Sequence, residues 1–181
     1  MNKERGIFTI ELAMILVFAS GLFVMQVNSS ISIANKGKLQ RVSYSLATIL
    51  SERKQLFNDE GDMCKNESNC TNAINMMLDI AKSSLSRMSG TFDSNKLGIQ
   101  VEELTKVNNK VTYVKKTKGQ IKDCNIVDIS GSGHLLPKTS NDRYLPIYQV
   151  SLCYETPFNV LGVADNEMMN VVSSSISFAR I

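Results

Sequence analysis

Twenty-one residues, Ile7 to Val27, read IFTIELAMILVFASGLFVMQV and hold a single charge, Glu11. As a helix this run is about 30 Å long, enough to cross the hydrocarbon core of a bilayer. It exceeds the apolar stretch of an ordinary secretory signal, roughly 7–15 residues. A lone carboxylate in such a segment is costly and calls for a functional reason. The leader MNKERG sets Lys3 and Arg5 against Glu4, and no basic residue follows the run until Lys36. By the positive-inside rule the N-terminus stays cytoplasmic and the remainder is exported.

A cleaved secretory signal is one alternative, but the small residues Ser32-Ile33-Ala34 lie well beyond the apolar run. A permanent signal anchor accounts for the hydrophobicity and leaves Glu11 without a role. A third reading starts from Gly6-Ile7-Phe8-Thr9-Ile10-Glu11, where a glycine closes the charged leader and a carboxylate follows five residues later.

That hexapeptide resembles the processing site of type IV prepilins. The resemblance implies cleavage by a membrane prepilin peptidase between Gly6 and Ile7, with the apolar helix retained as the new N-terminus. Glu11 would then pair with the Ile7 amine of a neighbouring subunit, lowering the cost of burying both charges. The chain looks most like the TadE/TadF minor pseudopilins of the tight-adherence (Flp, type IVb) pilus system, and closer to TadF. The C-terminal layout is similar too: a strand with a cysteine, Ile147 to Tyr154, then a serine-rich strand ending Ser175 to Arg180. Leu12 stands where the Flp major pilin usually has tyrosine, and the chain is far longer than that pilin. Both departures favour a minor component. The partners implied are the peptidase, other pilins and pseudopilins, the Tad assembly machinery and the inner membrane. The implied location is the bacterial inner membrane, single pass, with a periplasmic C-terminal domain that can enter an extracellular pilus.

The reading divides the chain into a leader (1–6), a transmembrane helix (7–27), an amphipathic continuation or linker helix (28–57) and a periplasmic α+β domain (58–181). Leu39, Val42, Leu46, Ile49 and Leu56 recur at helical steps. Two readings stay open around Asn35-Lys36-Gly37, a transmembrane helix that continues with a hinge there and a loop between two separate helices, since glycine costs a helix about 1 kcal/mol relative to alanine. A second helix is expected from Thr71 to Met88 on the stripe Ile74, Met77, Leu78, Ala81, Leu85 and Met88, with Gly90 as its cap. Beyond Leu97 the period falls to two. Gly98–Leu104 and Lys110–Lys116 suggest a hairpin around Asn108-Asn109, and Ile147–Glu155 and Met169–Arg180 suggest two more strands. Helices followed by strands give an α+β class, pilin-like in layout.

The cysteines are Cys64, Cys70, Cys124 and Cys153. In an exported domain an even count suggests disulfides. Three connectivities are open; the short separation favours Cys64–Cys70, which leaves Cys124–Cys153. A zinc site is a poor alternative, because the first pair lacks C-x₂-C spacing and the one histidine, His134, is distant from it. No metal or other cofactor is expected.

Nor does the sequence carry a catalytic constellation. There is no Gly-x-Ser-x-Gly motif. Glu102 and Glu103 should point to opposite faces of a strand, which makes them poor acid–base partners. A non-enzymatic, structural role is therefore expected. The net charge of +3 is too small to argue for nucleic acid. An anchored binding or sensing domain unrelated to pili is the rival reading.

Overall fold

The computed structural model describes residues 3–52, 67–107, 110–140, 142–156 and 170–179. Its first element is one uninterrupted helix, α1, Lys3–Ser51. Of the two readings open at Gly37 the continuous helix is the one formed: α1 runs through that glycine, where an added Cβ would meet nothing within 4 Å. Packing on one flank supplies what the propensity of one glycine removes, a deficit of only about 1 kcal/mol. Leu39, Val42, Leu46, Ala47 and Leu50 are buried. Ile49, expected on the same face, is 40% exposed and gives way to Ala47 and Leu50. Leu56 lies outside the described residues.

The second helix, α2, Glu67–Met88, begins one turn earlier than its apolar stripe predicted. Cys70, Ile74, Met77, Leu78, Ala81 and Leu85 fill one face of it, whereas Met88 in the last turn is 37% exposed. Gly90 follows without taking the left-handed conformation expected of a glycine cap, since Gly119 alone among the described glycines has positive φ.

Four strands complete the domain: β1 (Leu97–Val107), β2 (Lys110–Gly119), β3 (Ile147–Glu155) and β4 (Asn170–Phe178). They form one antiparallel sheet in the order β2-β1-β3-β4. Val107 pairs with Lys110, which leaves the two-residue connection expected at Asn108-Asn109. α1 lies over β4 and β3, and α2 packs against α1 and reaches β1 and β2. The main core joins both helices to Leu97, Ile99, Val101, Tyr148, Val150, Leu152 and Tyr154. The folded unit therefore begins inside α1. Small hydroxyl residues bring α1 close to β4, where Ser43 shares hydrogen bonds with Ser175 at 2.8 Å and Ser173 at 3.4 Å.

The opposite face of the sheet is covered by the long connection between β2 and β3. Leu104 and Ile147 meet Ile129 and Leu136 there, with Tyr113 and Tyr144 at the margin. Because helices cover one face and this connection the other, β1 is buried along eight consecutive residues. The fold-back starts at a glycine pair. Gly119, at φ +79°, faces Gly98 across the hairpin, and the chain then crosses directly over Gly98. A Cβ on Gly98 would stand 2.2 Å from the Gln120 carbonyl oxygen, so only glycine fits.

Candidate functional site

Two regions carry chemistry that the core does not consume. The first is the N-terminal half of α1. Every residue from Phe8 to Val27 is exposed, including the large apolar side chains Phe8, Ile15, Phe18 and Phe23. Over these residues the helix is about 30 Å long. It is the one helix among the described residues long and apolar enough to cross a membrane. Such a surface needs lipid or other apolar helices around it. Ser20 turns its hydroxyl back onto the Val17 carbonyl at 2.8 Å, which satisfies it without water. Glu11 sits exposed on this helix, about one turn beyond Ile7. The backbone of Gly6 and Ile7 belongs to the first turns of α1.

The second region is polar and lies beneath the β2–β3 connection. Glu102 is fully buried on the face turned away from the helices, and Glu103 is buried on the other face. The expectation of opposite faces holds; their burial was not foreseen. Alternation signals which face a residue takes, but not that a loop will fold over the polar face. Glu102 Oε1 accepts from the Tyr113 hydroxyl at 2.5 Å and from Gln100 Nε2 at 3.0 Å. Its Oε2 accepts from the Ile129 amide at 3.4 Å. Gln100 also donates to Asp128, which pairs with Lys115 at 3.0 Å. One strand over, Gln149 donates to the Val127 carbonyl at 2.8 Å. These bonds fix the connection to the sheet.

Burial pushes the Glu102 carboxyl above the usual carboxylate range, and the neighbouring Asp128 adds to the rise. Tyr113 and the Ile129 amide pull the other way without reversing it. Asp128 is held below its ordinary value by its hydrogen bonds to Glu102 and then to Lys115. Burial first, and then the bond to Glu102, raises the Tyr113 hydroxyl. The two carboxyls act in opposite directions on stability. A raised Glu102 binds its proton more tightly when folded, so its contribution is full below the ordinary 4.5 and falls as pH climbs through the folded value. Asp128 contributes fully above its ordinary 3.8 and loses that contribution as pH drops. Glu102→Gln should therefore flatten the decline in stability above pH 4.5, while the acid limb keeps the part that Lys115 supports. Urea unfolding at a series of pH values, followed by tyrosine signals, reads this directly.

Cys124 and Cys153 form a disulfide that ties the same connection to β3, with Cα atoms 6.3 Å apart. Cys70 is buried in the main core and disulfide-bonded. Cys64, its expected partner, lies outside the described residues. His134 is on an exposed turn, away from the carboxylate network's hydrogen bonds. Among the described residues no three His, Cys, Asp or Glu side chains are grouped to hold a metal ion. The carboxylate network binds one piece of chain to another and leaves the apolar half of α1 as the part that reaches outward.

A long apolar N-terminal helix, a second helix and a four-stranded antiparallel sheet make a pilin-like α+β layout. The model of the family described as "Putative tight adherence pilin protein F" matches residues 1–180. The chain belongs to the TadF family. No curated protein and no solved structure gives a match. Membership of TadF makes the chain a tight-adherence pilus component and associates it with the pilus assembly apparatus. Together with the single apolar helix, it identifies α1 as a single-pass membrane anchor. It also favours the pilus over an anchored domain unrelated to pili.

Proposed function

We propose that the chain is a minor pseudopilin of the tight-adherence pilus, cut by a prepilin peptidase between Gly6 and Ile7. The folded domain then stands on the periplasmic side and the apolar half of α1 remains in the inner membrane. The observation that carries this reading is the exposed, nearly charge-free stretch from Phe8 to Val27, with Glu11 as its single charge, in a TadF-family chain. Freed by cleavage, the Ile7 amine is a cation near the membrane edge. A carboxylate one turn further along lies at the right depth to pair with such an amine on an adjacent subunit. The role is structural: helix-to-helix packing with other pilins starts or supports the filament. Catalysis has no part in it.

Mass spectrometry of the N-terminus recovered from cells tests the processing step. The expected chain begins at Ile7 where the cognate peptidase is active and at Met1 or Asn2 where it is deleted. An intact leader beside an active peptidase sinks the proposal. Glu11→Ala should be cleaved like the parent chain but recovered in pilus fractions several-fold less often.

A further inference from the structure

Beyond the apolar run α1 carries only three charges, Lys36, Lys38 and Arg41, and no acidic residue lies between Glu11 and Glu52. Each cation occupies a separate cleft beside the helix. Lys38 lines one of about 220 Å³ with Asn35, Ser89, Thr91 and Phe92. Lys36 lines another of about 260 Å³ between Ser32 and Asn170 at the start of β4. Arg41 lies in an open groove with Gly37, Tyr44 and Ser175. None of the three forms an ion pair among the described residues, whereas Lys96, Lys115 and Lys138 each pair with a carboxylate.

Their height along α1 indicates what they meet. Counting from Val27, the Cα of Lys36 lies about 13 Å and that of Lys38 about 16 Å further along the axis. Helical side chains lean toward the N-terminus, here toward the bilayer, and a lysine stem spans about 6 Å. Both ammonium groups therefore come down to roughly the phosphate level, just outside the hydrocarbon core. Arg41, one turn higher, is still within about a Debye length of that plane. Three cations on the flank read as exported also run against the usual bias of basic residues toward the cytoplasm. A partner on that side offsets this.

We propose that these residues form a basic collar that seats the membrane-proximal end of the domain on anionic phospholipid headgroups. The phosphates enter the Lys36 and Lys38 clefts, while Asn35, Ser89 and Thr91 offer hydrogen-bonding side chains in the second. The collar restrains the domain against the bilayer and must be released when the subunit is lifted into a filament. The inference rests on α1 being a membrane anchor, so its test separates the two.

The full chain is placed in phosphatidylcholine vesicles and nanodiscs, with and without phosphatidylglycerol. Resistance to an alkaline wash of the vesicles reports the anchor. Native mass spectrometry of the nanodisc-released protein reports which lipid it retains. The parent chain should retain phosphatidylglycerol over phosphatidylcholine. The Lys36→Gln/Lys38→Gln variant should lose about fivefold of that preference per cation, and added salt should do the same. Lys36→Arg/Lys38→Arg should keep it. An inserted parent chain without preference, or a glutamine variant with undiminished preference, overturns the docking alone. A chain washed from the vesicles overturns the anchor and the docking with it.

Discussion

A Gly6→Val chain is expected to keep its leader in cells whose peptidase processes the parent chain, with cleavage reduced on the order of 10²-fold or more. The bond between Gly6 and Ile7 belongs to the first turns of α1. A helical peptide bond is shielded by its own backbone, so a protease has to draw these residues out of the helix. Helix ends fray most easily, and glycine weakens the helix by about 1 kcal/mol relative to alanine. Glycine also lets the chain approach a catalytic centre without a side chain between them. Valine removes the second advantage, since its branched Cβ is stiff and occupies the space beside the scissile bond. The measurement is the intact mass of the recovered protein, in which the leader is six residues. Normal cleavage of the valine chain would show that Gly6 does not define the site.

The Glu11→Ala chain separates scission from assembly. Its cleavage site is unchanged, so the same mass measurement should find Ile7 at the N-terminus. A loss confined to pilus fractions then assigns the carboxylate to contacts between subunits. Failure of cleavage would instead place Glu11 in recognition by the peptidase.

The N-terminal features were legible in the sequence because they depend on local composition. An apolar run of membrane length, its lone glutamate and the preceding glycine need no tertiary information. The same holds for the hairpin through Val107 and Lys110 and for the alternation of β3, whose two faces separate as expected. What escaped depends on partners far away in the chain. Continuity at Gly37 stayed open because propensity counts one residue, whereas continuity is decided by Leu39, Val42 and Leu46 packing on the sheet and α2. Alternation assigned Glu102 to one face of a strand but carried no information on whether that face is covered. Its burial follows from a connection that crosses Gly98 and lays Ile129 and Leu136 over that side. The Gly98 and Gly119 pair was the available signal: two glycines at the base of a hairpin allow close backbone approach.

Replacing Cys124 and Cys153 together by serine is expected to cost the domain about 3.5 kcal/mol, the loop-closure contribution of a bridge this far apart in sequence. The two cysteines are 29 residues apart and bracket most of the β2–β3 connection. Without the bridge, the unfolded chain regains the freedom that the bridge denies it. Folded, the connection keeps its other ties: Ile129 and Leu136 in the second core, Asp128 and the Glu102 carboxylate, and the Gln149 bond to Val127. Loosening therefore starts near residues 120–126, where the disulfide is the main covalent restraint on a stretch that is otherwise largely exposed. For a domain of about 150 residues the loss should lower the melting temperature by roughly 10 °C. Tyrosine signals are a suitable probe because the chain has no tryptophan. Reduction of the parent chain should lower the melting temperature further than the double substitution, because Cys70 is also disulfide-bonded and Cys70 lies in the main core. A double variant that melts within a degree or two of the parent would mean that the polar and apolar ties alone hold the connection to the sheet.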